Sequence, residues 1–190
     1  DKDIAWTISR LGNIYKQNIE LEKAEKYYDI ALSILPATYK DKIAYEFDIL
    51  GTLYEKNNKF NEAEKVYIKS LSIYRGLEKT TANILSIAWT LDRLGLVYSG
   101  LEQRTKSKQS YSEALFMYRQ LTKQEPLKYK AYVAWTLSRL GELHEKDKQI
   151  HEAKKILSIY EELEMSNPEI YKTHLIWIHD KINNLPKKII

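Results

Sequence analysis

The sequence of 190 residues contains no cysteine and only six glycines and four prolines. Without cysteine the chain forms neither a disulfide framework nor a thiolate metal site, and it has no cysteine nucleophile. The scarcity of glycine and proline argues against a β-rich fold, which needs turn residues at intervals of about 8–12 positions. Because 44% of the residues are hydrophobic, the composition also excludes a disordered chain.

No run of apolar residues reaches the length of about 18 that a membrane-spanning helix requires. No secretory signal is visible either, so we expect a cytoplasmic protein. The chain begins at Asp1 rather than at methionine, which favours a fragment or a processed form of a longer chain.

Positive charge is concentrated in one segment. The formal net charge is +4, and residues 103–130 contain seven Lys or Arg against two Glu. A nucleic-acid-binding protein usually spreads basic residues over the whole contact surface, whereas the flanking segments here are mixed in charge. We therefore interpret the segment as a solvated outer face and expect no nucleic-acid partner, with binding through residues 103–130 as the alternative.

A motif that runs from an alanine to a Leu-Gly dipeptide occurs four times. Its glycines are separated by 39, 44 and 46 residues, and three of the four tryptophans occupy the slot after the alanine. We number each repeat from the opening alanine, so that the glycine is at position 8. The opening alanines are Ala5, Ala44, Ala88 and Ala134.

Apolar residues at positions 4, 7 and 11, and again at 20, 24 and 27, predict two amphipathic helices in each repeat. Glycine inside a helix costs about 1 kcal/mol relative to alanine, so a glycine that recurs at position 8 indicates a packing requirement. We expect position 8 and the small residue at position 20 to lie where the two helices cross. The aromatic residues at 11 and 24 would fill the spaces between hairpins.

The pattern resembles the tetratricopeptide repeat family, with Leu-Gly at 7–8, Tyr at 11, Ala at 20, an aromatic residue at 24, Ala at 27 and Pro36 at position 32. The spacing exceeds the usual 34 or so residues, and the aromatic residue moves from position 4 to position 2. The chain is therefore similar to the long-repeat variety of the kinesin light chain type and related bacterial arrays. The resemblance implies an all-α, right-handed solenoid of four helix hairpins with a C-terminal capping helix, in one domain spanning residues 1–190. Repeats are expected at about 5–38, 44–79, 88–125 and 134–165, and the capping helix at about 168–185.

In this family the first helix of each hairpin lines a concave groove. The resemblance thus implies a non-catalytic module that binds a protein partner, either a peptide or a helix, in that groove. A structural or oligomerising segment of a larger regulatory protein, with contacts through Ile176 and Trp177 or through the convex face, is the alternative. The groove residues implied are Trp6, Arg10, Asn13, Tyr45, Asp48, Thr52, Trp89, Asp92, Arg93, Trp135, Ser138, Arg139 and Glu142.

Tryptophan at position 2 and arginine at position 6 recur together in repeats 1, 3 and 4, on one face of a helix. One interpretation is a ladder that grips carboxylates or phosphates of a ligand. The other, which we favour because the pair follows the rhythm of the core, is a stacked pair that stiffens the helix. Of the residues that form a carboxylate clamp in some family members, only Asn13 and Arg93 are present, so we predict no clamp.

No set of residues has the spacing of a catalytic or metal site. All four histidines follow residue 140, and none of them is paired at the i, i+4 spacing of a helical zinc site. A phosphate-binding glycine loop and a nucleophile elbow are both absent from the sequence. We therefore expect no enzymatic activity, no metal and no cofactor, and a monomer or a weak homo-oligomer.

Overall fold

The computed structural model describes residues 2–143 together with residues 158, 159, 161, 162 and 176. Over these residues the chain forms seven α-helices and one short 3-10 helix, and no strand, which confirms the all-α helical-repeat fold. Apart from residue 176, the predicted capping helix at 168–185 lies outside the described residues, as does most of the second helix of repeat 4. The helices are α1 (Lys2–Gln17), α2 (Leu21–Ile34), α3 (Lys40–Lys56), α4 (Phe60–Arg75), α5 (Thr81–Gly100), α6 (Arg104–Thr122) and α7 (Pro126–Glu142), with the 3-10 turn at Ala37–Tyr39.

The chain divides into two compact units, Asp1–Ser107 and Lys108–Ile190. In the first unit each helix packs on the next one along the chain, from α1 through α5, and α3 also packs on α5. In the second unit α6 and α7 meet through the stacked rings of Tyr118 and Tyr132, whose centroids are 5.1 Å apart. One continuous repeat domain over residues 1–190 stays a prediction.

The hairpins of the first unit turn in the same way. In each hairpin, the second residue after the first helix adopts a left-handed backbone. These residues are Ile19, with φ of 63°, and Asn58, with φ of 57°. The next amide then donates back to the carbonyl of the tyrosine at position 11: Glu20 to Tyr15 at 2.9 Å, and Lys59 to Tyr54 at 2.9 Å. This pairing satisfies a carbonyl at the helix end that would otherwise lack a partner.

The glycine at position 8 faces a tyrosine ring. A Cβ added to Gly12 would lie 2.6 Å from the ring of Tyr28, and one added to Gly51 would lie 2.5 Å from the ring of Tyr67. Both tyrosines occupy position 24 of the same repeat, and both are fully buried. The packing requirement inferred for position 8 is therefore confirmed in repeats 1 and 2, and the residue that imposes it is the aromatic at position 24.

Candidate functional site

A cleft of about 490 Å³ lies in the first unit and is lined mainly by residues of its first helices. It is bordered by α1 and α3 and by the beginning of α5. Four of the predicted groove residues line it, namely Trp6, Arg10, Asn13 and Tyr45. Tyr45 is 60% exposed, so a large part of its ring is open to a ligand.

The floor of the cleft is a polar network that joins repeats 1 and 2. The hydroxyl of Tyr28 donates to Oδ1 of Asn13 at 2.7 Å and approaches Oε2 of Glu46 at 3.2 Å. Lys16 forms an ion pair with the same Glu46 carboxylate. Burial and the neighbouring Glu46 raise the pKa of Tyr28, so that its hydroxyl remains a hydrogen-bond donor at neutral pH.

The aromatic wall of the cleft is built around Trp6. Its ring meets Tyr39 edge to face with centroids 6.1 Å apart, and the ammonium of Lys42 lies 4.9 Å from the Trp6 centroid. Arg10 is exposed, and no acidic side chain among the described residues forms an ion pair with it. In repeat 1, then, Lys42 covers the tryptophan and the arginine at position 6 faces solvent.

In repeat 3 the Trp/Arg pair is engaged within the protein. The guanidinium carbon of Arg93 lies 5.8 Å from the centroid of Trp89, and Arg93 forms an ion pair with Glu55 of α3. It also hydrogen bonds to Tyr67 of α4. Trp89 contacts the ring of Tyr67 edge to face at 6.2 Å. Arg93 therefore connects α5 with α3 and α4.

The second unit contains the pair of repeat 4. The guanidinium carbon of Arg139 lies 4.7 Å from the centroid of Trp135, and its Nη1 is 3.5 Å from Oε2 of Glu142. Trp135 is 42% exposed. Ser138 is half-buried on the same helix. These four predicted residues thus lie together on α7.

Two predicted groove acids are inside the helix packing, which corrects the expectation that they face a ligand. Asp48 is 4% exposed and Asp92 is 8% exposed. The hydroxyl of Thr90 in α5 donates to Oδ1 of Asp48 at 3.0 Å, and Tyr74 of α4 also hydrogen bonds to this carboxylate. For Asp48 the physical reason is that position 5 of repeat 2 points at the first helix of repeat 3, which covers it.

Burial raises the pKa of Asp48 to about 7, although the hydrogen bonds from Ser70, Thr90 and Tyr74 act in the opposite direction. Within residues 2–143 the carboxylate has hydroxyl partners and no basic one. The last predicted residue of repeat 2, Thr52, is half-buried, and its hydroxyl lies 3.0 Å from the carbonyl of Asp48 and 3.1 Å from the hydroxyl of Tyr67.

Several residues that line the cleft were not predicted, and two of them, Lys42 and Glu46, are charged side chains that contact predicted groove residues or their partners. Lys42 precedes the repeat motif and Glu46 is at position 3, so neither occupies a groove position of the family. The charges at position 12 could have indicated this contact. Lys16 and Glu55 both occupy position 12, and each forms an ion pair with an oppositely charged residue of the next repeat, Glu46 or Arg93.

The described residues contain neither a membrane span nor a metal cluster. No helix within residues 2–143 is long and apolar enough to cross a membrane. In the part of the chain that the structure describes, no group of three or more His, Asp or Glu side chains is placed to hold a metal ion.

Residues 47–81, which include most of α3, all of α4 and the connection to α5, match the family model described as tetratricopeptide repeat. Over these residues the chain resembles a tetratricopeptide repeat. This confirms the resemblance inferred from the Leu-Gly motif. No curated protein matches the sequence.

Solved structures share the tetratricopeptide-type fold at low sequence identity. BtubC from P. vanneervenii is 19% identical, with a TM-score of 0.55 over 100% of this chain and 69% of that one. The N-terminal domain of stress-induced protein-1 from C. elegans is 23% identical, with a TM-score of 0.50 over 65% of this chain and 92% of that one. The yeast histone chaperone Hif1 is 12% identical, with a TM-score of 0.65 over 97% of this chain and 95% of that one. At these identities the likeness concerns the fold.

Proposed function

We propose that the protein is a non-catalytic interaction module whose first unit binds a segment of another protein in the cleft between α1, α3 and α5. The observation that carries this proposal is that Trp6, Arg10 and Tyr45 line one cleft, in which Arg10 and Tyr45 are exposed and Trp6 is half-buried. Yeast Hif1, which shares the fold, is described as a scaffold protein that recruits protein complexes to core histones, and a scaffold has the same class of role.

The chemistry of the cleft favours a ligand that combines an aromatic or aliphatic side chain with a carboxylate. Trp6 and Tyr45 offer rigid aromatic area of the kind that dominates binding energy at protein interfaces. Arg10 can bind a carboxylate through two parallel hydrogen bonds. Glu46 does not oppose such a ligand strongly, because Lys16 neutralises it.

The dimensions favour a short extended peptide. Neighbouring packed helices are ~8–10 Å apart, so three first helices span ~16–20 Å. An extended chain advances ~3.3 Å per residue, so about five or six residues would contact the cleft.

A selection from a random peptide library tests this proposal. Peptides selected on the wild-type protein should bind at least tenfold more weakly to Arg10→Ala and to Tyr45→Ala, whose melting temperatures should remain within about 2 °C of wild type. Lys65→Ala is the matched control, because Lys65 is an exposed cation on α4. Selected peptides that bind all three variants equally would show that the cleft is not the binding site.

The alternative role, as a scaffold or oligomerising segment, is supported by one exposed apolar side chain, that of Ile176. Ile176 is 62% exposed, whereas its predicted companion Trp177 lies outside the described residues. Sedimentation of the wild-type chain at increasing concentration distinguishes the two roles, because an oligomerising segment would sediment as a dimer or larger and Ile176→Lys would restore the monomer.

A further inference from the structure

The α1 side of the cleft offers hydrogen-bond donors to a ligand. Arg10 is exposed there, and a guanidinium has donors and no acceptor. Asn13 accepts the hydroxyl of Tyr28 through Oδ1 at 2.7 Å, which leaves its amide NH2 group to donate. The nearby acceptor Glu46 is engaged by Lys16 and Tyr28. A carboxylate is therefore the ligand group that matches this side.

The opposite side of the cleft offers acceptors. It is formed by Asp41 in the first turn of α3 and by Asn83 and Ser86 near the beginning of α5. Nδ2 of Asn83 donates to a backbone carbonyl of the connection before α5 at 2.7 Å, so its side-chain oxygen remains to accept. Ser86 hydrogen bonds to Tyr74, whose hydroxyl also hydrogen bonds to Asp48 in the helix packing. The hydroxyls on this side are thus engaged within the protein.

The carboxylate of Asp41 is the charged group on this side. The residue is half-buried, and its Oδ1 is covered without a hydrogen-bond partner among the described residues. Lys42 follows it in the chain, but the ammonium of Lys42 lies over aromatic rings, 4.9 Å from the centroid of Trp6 and 5.8 Å from that of Tyr39. A covered carboxylate oxygen without a donor costs free energy, which a donor carried by a ligand would offset.

The beginning of α5 does not reverse this preference. A helix N-terminus favours anions because its first amides lack partners. Here the hydroxyl of Thr80 accepts from the amide of Asn83 at 3.2 Å and caps the helix. The full negative charge of Asp41 therefore dominates this side of the cleft.

We propose that Asp41 is a specificity-determining residue of the cleft, which selects a lysine or arginine side chain in the bound peptide. This inference rests on the proposed function, since it concerns the peptide that the cleft binds. The acidic residue of the peptide faces Arg10 on α1 and the basic residue faces Asp41 on α3. Neighbouring helices are ~8–10 Å apart and an extended chain advances ~3.3 Å per residue, so about two to four positions separate the two charges.

Selection from a random peptide library on the wild-type protein and on Asp41→Asn tests this inference. In the wild-type pool we expect Lys or Arg to be enriched about fivefold or more at a fixed distance from an acidic residue. On Asp41→Asn the basic enrichment should disappear while the acidic enrichment remains, because Arg10 is unchanged. In a selected peptide, replacement of the basic residue by glutamine should weaken binding to wild type about fivefold or more and leave binding to Asp41→Asn nearly unchanged.

Glu22→Gln is the matched control, because Glu22 is an exposed acid in the first turn of α2, as Asp41 is in the first turn of α3. It should yield the wild-type pool. A merely structural role of Asp41 would change the melting temperature but not the residue preferred at one peptide position.

The outcomes separate this inference from the proposed function. Peptides that bind Arg10→Ala and Tyr45→Ala as tightly as wild type would remove the cleft as the peptide site, and Asp41 with it. Peptides that depend on Arg10 and Tyr45 but show no basic residue, or that keep their basic preference on Asp41→Asn, would overturn the role of Asp41 alone.

Discussion

At the residue scale, the shared geometry of repeats 1 and 2 is a unit of three residues. The ring at position 24 occupies the space left by the glycine at position 8, and its hydroxyl reaches the polar residue at position 9. Tyr28 bonds Asn13 at 2.7 Å, and Tyr67 lies 3.1 Å from the hydroxyl of Thr52. A core residue therefore also organises the surface of the cleft.

Gly51→Ala tests this unit. The new Cβ would meet the ring of Tyr67 at 2.5 Å, so overpacking of about 1–3 kcal/mol should exceed the gain of about 1 kcal/mol in helix propensity. We expect a net loss of about 1–2 kcal/mol in the free energy of unfolding, measured by urea denaturation. Gly76→Ala is the control, because a Cβ there comes no closer than 3.4 Å to another atom and should leave stability nearly unchanged. Equal effects would refute the packing role.

The buried carboxylate of Asp48 makes stability depend on pH. Its folded pKa of about 7 lies above the ordinary 3.8, so the folded state binds the proton more tightly. This contribution to stability is complete below pH 3.8 and is lost as the pH rises to about 7. We expect Asp48→Asn to be more stable than wild type at pH 8 by a few kcal/mol. The two proteins should converge at pH 4, and a constant difference at all pH values would contradict the assignment.

Arg93 and Arg10 occupy the same slot of their repeats but have different surroundings. Arg93 pairs with Glu55 and stacks on Trp89, so Arg93→Ala leaves a half-buried carboxylate without its partner. We expect Arg93→Ala to lower the free energy of unfolding by about 1–3 kcal/mol. Arg10→Ala should change it by less than about 0.5 kcal/mol, because Arg10 is exposed. Matching losses in thermal melts of the two variants would argue against this distinction.

At the element scale, the turns between paired helices contain avoidable strain. Ile19 is a β-branched residue with φ of 63°, a conformation that costs an L-residue roughly 1–2 kcal/mol. We expect Ile19→Gly to raise the melting temperature by a few degrees, because its side chain is 75% exposed and contributes little packing. Asn58→Gly is the matched variant at φ of 57°, and its gain should be smaller because asparagine tolerates this region. A loss of stability in Ile19→Gly would contradict the strain argument.

At the scale of the whole molecule, the first unit is a stack in which each hairpin is stabilised by its neighbours. The second helices are linked as well, since Nζ of Lys69 in α4 lies 2.8 Å from Glu25 and 2.7 Å from Asp29 in α2. α3 has neighbours on both sides, with α2 before it and α4 and α5 after it. In α1, by contrast, the apolar residues Ile4 and Leu11 are exposed, so α1 should be the least protected of the first helices.

Hydrogen exchange of the natural chain tests this order. Amides of α1 should exchange at least tenfold faster than amides of α3, because local opening of α1 exposes little additional apolar surface. Equal protection of the two helices would mean that the first unit opens only as a whole.

The helices and their pairing followed from the sequence because amphipathic periodicity and the Leu-Gly motif are local signals. The glycine at position 8 also indicated close packing before the structure identified the tyrosine ring it faces. Side-chain partners across repeats did not follow in the same way. Such partners depend on the rotation and spacing of helices that are distant in the chain. This is why the sequence did not show that Asp48 faces Thr90, or that Lys42 covers Trp6. The exposure of Ile4 and Leu11 is of the same kind, because Ile43 and Leu50 at the same positions of the next repeat are buried by the helices that pack on them.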